Sequence, residues 1–163
     1  MDTEREFTEV YNTYASKVYR LCLGYASGDE DLANEWQQQT FIKVWKHRKS
    51  FKGKSAISTW IYRIAVNTCL GDLRKSKKHV VINETIPASD ATDNENERQG
   101  EEIEKMYHCI GQLSKNNKAL ILLELEDIPQ ATIAETLGLA HGAVRTRLSR
   151  IRKTLLKCIT NEK

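Results

Sequence analysis

Arg145, Thr146, Ser149 and Arg150 share one side of a helical repeat that begins near His141, and together they supply groups that grip the edges of base pairs. At roughly 100° per residue, Val144, Leu148, Ile151 and Leu155 form a narrow apolar stripe. Arg145, Thr146, Ser149, Arg150, Arg152 and Lys153 lie opposite it. Arginine can hold guanine O6 and N7 with two hydrogen bonds at once, in a major groove that admits an α-helix. Gly142, Arg145, Thr146, Ser149 and Arg150 stand near the start of this helix and are the residues expected to reach bases. Arg147 leaves that face sideways, towards a phosphate. From Arg145 to Lys163 there are seven Lys or Arg and one acid, Glu162, more cationic than an ordinary solvated face requires.

A second constellation lies near the middle of the chain. Trp60, Arg63, Asn67, Arg74 and Lys78 fall within roughly 60° of one another on a helix. The loop before them, Arg48 to Ala56, adds Lys49, Lys52, Lys54, Ser55 and Phe51, with Gly53 permitting a sharp turn. Cations of this kind take phosphates, and an exposed indole offers a face on which an unpaired base can stack. The competing reading makes Trp60 a core residue, since tryptophan is usually mostly buried.

Helices must position both sets. The periodicity predicts one from about Glu4 to Tyr25, through Phe7, Val10, Tyr11, Tyr14, Val18, Leu21 and Cys22. Gly28 and Asp29 break it, and Asp29 caps a second helix running to about His47. A third begins near Ser58, with Tyr62, Ala65, Val66, Cys69 and Leu73 as its core stripe. Residues 80–102 carry Pro87 and almost no large apolar side chain after Ile86, too little to offset the entropy of ordering. Further helices are expected from about Glu101 to Gln112, Asn116 to Glu126 and Gln130 to Leu137. Gly138 then stands where a helix end needs the left-handed conformation. The expected fold is all-α: two small helical domains, 1–79 and 103–163, joined by a flexible acidic linker, 80–102. The C-terminal domain is a helix-turn-helix.

The charge pattern agrees. A net charge of +3 hides seven Lys or Arg against Asp72 between Phe51 and Lys78, then eight acids against Arg98 between Glu84 and Glu104. Basic segments suggest contact with a polyanion, and the acidic one is a solvated tether or a polyanion mimic. The four cysteines, Cys22, Cys69, Cys109 and Cys158, form no CxxC or Cys/His cluster and are expected to be structural thiols in a reducing compartment. The N-terminus is charged from its second residue, and the longest apolar run, Ala119 to Leu123, cannot span a bilayer. A soluble, cytoplasmic protein without membrane insertion is expected. His47, His79, His108 and His141 lack metal-ligand spacing, no phosphate loop or nucleophile motif occurs, and neither enzymatic activity, a cofactor nor a metal is expected.

The order of motifs carries a resemblance. FTEVYNTYASKVYRLCL, then TFIKVW, then FKGKSAISTWIYRIAVNTCLGDLRKSKK resembles the promoter-melting domain of extracytoplasmic-function sigma factors. LLELEDIPQATIAETLGLAHGAVRTRLSRIRKTLL is similar to the same family's upstream-element domain. The resemblance covers roughly residues 7–78 and 105–158. It implies that the helix from Asp29 to His47 docks on the clamp helices of the largest subunit of core RNA polymerase, through Glu35, Trp36, Gln38, Gln39 and Lys43. It implies that Lys52, Lys54, Ser55, Trp60, Arg63, Asn67 and Arg74 hold the unpaired strand of the −10 element. Gly142, Arg145, Thr146, Arg147, Ser149 and Arg150 would read the −35 element as duplex. An anti-sigma factor or another recruiting protein is a further implied partner. The acidic linker would thread towards the polymerase's active-site and RNA-exit channel.

Two departures from the family pattern stand out. The usual D-L-V-Q-E-x-F docking segment appears as Glu35-Trp36-Gln37-Gln38-Gln39-Thr40-Phe41, and losing a charge weakens steering more than it abolishes docking. Ala140 stands where a Ser or Thr cap is expected, at a cost of about 0.5–2 kcal/mol. A helix-turn-helix repressor would leave the Trp60 stripe unexplained. A purely helical interaction module would leave both basic faces unexplained.

Overall fold

In the computed structural model, residues 3–76 and 94–160 are described, and they are helical throughout apart from their turns. The order is α1 (Glu4–Tyr25), α2 (Glu30–Lys46), a 3-10 turn (Arg48–Ser50), α3 (Ile57–Ser76), α4 (Asn94–Gly111), α5 (Lys115–Leu125), α6 (Gln130–Leu137) and α7 (His141–Thr160).

Local chemistry accounts for the boundaries. Thr3 and Glu6 form a reciprocal capping box that satisfies two backbone donors of α1. The chain reverses through Ser27 and Gly28, both at positive φ, and Asp29 Oδ1 then accepts from the Leu32 amide at 3.1 Å to start α2. Ser114 caps α5 through the Asn117 amide. Gly138, at φ 69° and ψ 35°, ends α6 in the left-handed conformation, as its position in the sequence predicts.

α1, α2 and α3 pack around Val18, Leu21, Cys22, Ala33, Trp36, Val44, Ile61, Ala65 and Cys69. Edge-to-face pairs Phe7–Trp45, Tyr11–Phe41 and Tyr14–Tyr62 tie the helices together at centroid distances of 5.1, 4.8 and 5.9 Å. Gln37, where the family pattern has an aliphatic residue, donates to the Ala15 carbonyl at 2.8 Å, so a hydrogen bond joins α2 to α1 at that position. In the second half, Val144, Leu148, Ile151 and Leu155 of α7 are buried against α5 and α6, as the periodicity requires. Arg152 reaches back to Glu124 of α5 at 2.6 Å.

Several expectations need correction. α4 begins at Asn94 rather than near Glu101, so residues 94–102, assigned to the linker, are helical. Residues 97–104 are exposed. This is a solvated helix built on the helix propensity of Glu and Arg, without the apolar periodicity used to find the others. Lys78 and residues 80–93, including Asp90 and Asp93, lie outside the described residues.

Trp36, expected at the polymerase-docking surface, is 0% exposed and donates its indole N–H to Asp72 Oδ2 at 2.8 Å. It is a core residue, because it lies on the side of α2 that packs under α3, where a large indole buries much apolar area and its N–H finds Asp72. The four cysteines are not all thiols. Cys109 and Cys158 form a disulfide, while Cys22 and Cys69 are free, with sulfurs 3.6 Å apart. The Cys22 partnership, then burial, push the Cys69 thiol pKa far up. Sequence separation concealed the pairing that helix packing brings about.

The two helical halves are not merely tethered. α3 packs on α6 and α1 on α5. Lys17 Nζ donates to the Glu126 carbonyl at 2.9 Å, and Arg20 pairs with the Glu126 carboxylate at 2.6 Å. Gly24 leaves room for Leu122: a Cβ there would stand 2.3 Å from Leu122 Cδ2. Tyr107 of α4 lies beside Gly28.

Candidate nucleic-acid interface

Gly142, Arg145, Thr146, Arg147, Ser149 and Arg150 are all exposed on α7. α7 lies with its apolar stripe on α5 and α6, which leaves the other side to solvent. Thr146 Oγ1 donates to the Gly142 carbonyl at 3.1 Å, keeping the first turn tight. Among the described residues, Arg152 is the cation of this helix that is drawn into an ion pair within the domain. Arg145, Arg147 and Arg150 project from a rigid element at helical spacing, which is what base and phosphate contact demands.

The constellation on α3 sits differently. Trp60 is half-buried, packed against the core and against Phe51 with ring centroids 5.2 Å apart and planes at 38°. Both readings of Trp60 therefore hold in part: one face belongs to the core, and an edge remains open. Lys52, Lys54, Asn67 and Arg74 are exposed, and Ser55 is half-buried. Gly53 turns the loop at φ 72°. Arg48 is held down over the Trp45 ring, 3.7 Å from its centroid, and donates to the Trp45 carbonyl. Its charge is spent on the fold rather than offered with Lys52 and Lys54. Beneath the stripe, burial first and then Tyr14 and Glu126 push the Tyr62 phenol up to about 12, so it stays neutral.

Arg63 carries the most informative contact. Its Nη2 donates to the Glu135 carbonyl at 2.7 Å and its Nε to the Thr136 carbonyl at 3.2 Å. These belong to the last turn of α6, whose carbonyls lack partners within the helix and carry the negative end of its dipole. Thr59 Oγ1 adds a bond to Glu135 Oε2 at 3.3 Å. The helix-turn-helix unit thus rests its first helix on the stripe that would hold an unpaired strand. Nothing in the sequence spacing announces this contact. The signal available was a cation on α3 and a helix end without a basic residue of its own.

On α2, Glu35 and Gln38 are exposed and Gln39 is half-buried, donating to Glu35 Oε1 at 3.2 Å. Lys43 donates to Thr68 Oγ1 at 3.1 Å, which ties it to α3. Beside Gln38 runs a groove of about 670 Å³ lined by Phe7, Thr8, Tyr11, Phe41, Ile42 and Trp45. Ile42 is 63% exposed there. Sequence reasoning missed Ile42, although its spacing of four from Gln38 puts both on one side of α2. A second cavity, of about 300 Å³, lies between Leu70, Leu73 and Arg74 of α3 and Leu113, Lys115 and Lys118 of the second half. Among the described residues, no helix is long and apolar enough to cross a membrane.

Two family matches divide the chain where its helices do. Sigma-70 region 2 matches residues 10–79 and Sigma-70 region 4 matches residues 103–155. The chain is 32% identical over 166 residues to the ECF RNA polymerase sigma-E factor of Haemophilus influenzae, covering 93% of this chain and 86% of that protein. It is 26% identical to the ECF RNA polymerase sigma factor SigM of Mycobacterium tuberculosis, covering 94% of this chain and 76% of that one. Two solved structures share the fold. CnrH in complex with the cytosolic domain of CnrY superposes with a TM-score of 0.73 at 16% identity, over 99% of this chain and 92% of that one. The sigma factor RpoE of Bartonella quintana, in complex with the anti-sigma factor NepR, gives 0.72 at 21% identity, over 98% and 99%.

Proposed function

Since the chain belongs to the extracytoplasmic-function sigma factors of the sigma-70 family, non-enzymatic factors that bind core RNA polymerase, direct it to promoters and assist melting, we propose which of its residues carry each task. Arg145, Thr146, Ser149 and Arg150 read the −35 element in the major groove, and Arg147 holds a phosphate. Trp60, Arg63 and Asn67, with Lys52, Lys54, Ser55 and Arg74 around them, hold the unpaired −10 strand. Glu35, Gln38 and Gln39 of α2 face the polymerase clamp, with Ile42 in the apolar groove beside them supplying buried area that the missing carboxylate does not. Trp36 and Lys43 support that surface from behind.

The observation that carries this reading is the pairing of Arg63 with the end of α6. Two of the five guanidinium donors of Arg63 are committed to α6, which fixes where its charge points. In this reading the packed arrangement is the form before engagement, and the two halves separate when polymerase and promoter take over their faces. The interface combines apolar packing, Leu122 against Gly24, with few polar bonds: two from Arg63, one from Thr59, and the Lys17 and Arg20 contacts with Glu126.

An anti-sigma partner fits the same reading. RpoE and CnrH are held by proteins of their own, and a partner that stabilises the packed form here would keep the −10 face covered. The working compartment is the cytoplasm, where the polymerase is. Capture of core polymerase by the full-length chain, followed by transcription from a promoter fragment, tests the proposal. Polymerase capture without promoter-dependent transcripts would refute the division of labour.

A further inference from the structure

The described residues hold two cysteine pairs in contrasting states. Cys22 and Cys69 lie in the first core, both 0% exposed, sulfurs 3.6 Å apart and unbonded. Cys109 and Cys158 are bonded, with Cα atoms 5.9 Å apart, within the span a disulfide bridges. The bonded pair joins the end of α4 to the last turns of α7 and encloses α5, α6 and the reading helix between them.

The elements it joins pack on one another over a short stretch. Residues 97–104 of α4 are exposed, leaving Met106, Tyr107, Cys109 and Ile110 to seat the helix. Beyond Leu155, α7 has Leu156 at 62% exposed and only half-buried Cys158 and Ile159. The bond adds a covalent closure to that end of the domain. Disulfides that do occur in a reducing cytoplasm are mostly transient or redox-sensing. The inference rests on the cytoplasmic reading above to that extent.

We propose that Cys109–Cys158 is a reversible redox site, opened by a dithiol of the thioredoxin class and closed by its oxidised form, and that the bonded state holds the −35 reader in order. Access fixes the direction of attack. Cys109 is 3% exposed, whereas Cys158 is half-buried at the rim. A thiolate of the reductant attacks Cys158 Sγ. The sulfur–sulfur bond breaks with its electron pair on Cys109 Sγ, which takes up a proton. The second thiol of the reductant then attacks the mixed disulfide, releasing Cys158 as a thiol, and the reductant departs as a disulfide. Two electrons pass, and each reverse step restores the bond. Cys22 and Cys69, sealed in the core with the Cys69 thiol pKa raised, stay outside this exchange.

The consequence follows from the enclosed segment. A cross-link spanning 49 residues restricts the unfolded chain strongly. Losing it should lower the apparent melting temperature of the second half by roughly 5–15 °C. The reading turn itself stays seated by Val144, Leu148 and Ile151. The loss in duplex affinity is therefore moderate, about threefold to tenfold.

Maleimide labelling of the full chain, unfolded without reductant after equilibration with oxidised glutathione, should tag two of its four cysteines, Cys22 and Cys69. Thioredoxin with its reductase, added to the folded protein, should expose Cys109 and Cys158 together and leave the other two untouched. Oxidised and reduced wild type, compared by melting and by binding to a −35 duplex, should differ as stated, and Cys109→Ser/Cys158→Ser should behave like the reduced form under both conditions. Four tagged cysteines after oxidation, a Cys22–Cys69 bond instead, or reduction only after unfolding would overturn the proposal. So would identical melting and duplex binding of the two wild-type forms. Since labelling and melting need neither polymerase nor promoter, their failure is separable from failure of the sigma-factor assignment.

Discussion

The face of α7 proposed to read duplex stands open to solvent, whereas the proposed strand-holding face of α3 is met at Arg63 by the other half of the same chain. Both are built alike, as cations and hydrogen-bonding groups opposite an apolar stripe. What separates them is that Arg145, Thr146, Ser149 and Arg150 are exposed, while Arg63 has found the unpaired carbonyls of α6. A cationic face is a polyanion site only when nothing closer supplies a negative end, and a helix C-terminus supplies one. The proposed duplex reader is thus exposed, while Arg63 of the proposed strand holder is engaged by α6.

The two tryptophans of the first half test where scaffold ends and surface begins. Trp36→Ala removes a fully buried indole and its bond to Asp72 and should cost about 3–5 kcal/mol in chemical denaturation. Trp60→Ala, on a half-buried ring, should cost clearly less. An equal loss for both would return Trp60 to the core and remove it from the strand-holding face. On the open face, Arg145→Ala and Arg150→Ala should each lose about 1–3 kcal/mol of discrimination at one or two base pairs, measured by competition between duplexes. Arg147→Ala should weaken all sequences alike. Uniform losses for all three would mean that α7 grips DNA without reading it.

The contact made on the α3 face can be loosened without touching that face. Gly24→Val places methyl groups where Leu122 packs and should shift the packed arrangement by about 1–2 kcal/mol. The free protein should then bind a single-stranded −10 oligonucleotide roughly fivefold to tenfold more tightly, with duplex binding by α7 unchanged. Unchanged single-strand affinity would mean that the α1–α5 contact does not govern access. The smallest effect is expected at the rim. Glu126→Gln breaks the ion pair with Arg20, half-exposed on the arginine side, while sparing the carbonyl that Lys17 uses. It should loosen the packing by about 0.2–1 kcal/mol, a difference that disappears at high salt.

Much of this was legible in the residues. The boundaries of α1, α2, α6 and α7 followed from caps, Gly138 and apolar spacing, because those are local rules. The exposure of the cationic face of α7 followed too, since a helix with one apolar stripe has only one way to turn. What escaped was non-local. Trp36 is spaced like a docking residue, and only its packing under α3 and its bond to Asp72 make it core. Cys109 and Cys158 are brought together by two helices whose separate patterns say nothing of each other. The start of α4 was hidden for the opposite reason: a solvated helix buries no stripe, so periodicity has nothing to report. The contact of Arg63 with α6 depends on how two halves meet, which no window of sequence contains.

The central claim is that the α3 stripe opens DNA once the packed form has yielded, and permanganate reactivity of unpaired thymines in the holoenzyme measures it directly. Trp60→Ala and Asn67→Ala remove a stacking surface and an amide, worth about 1–3 kcal/mol for each base held. On an intact promoter they should cut reactivity across the −10 region by roughly fivefold or more, with holoenzyme binding to the closed duplex nearly unchanged. On a template already mismatched across that region the defect should largely vanish, because the unpairing cost has been removed in advance. Equal defects on both templates would contradict the account and return Trp60 and Asn67 to the support of the fold or of polymerase docking.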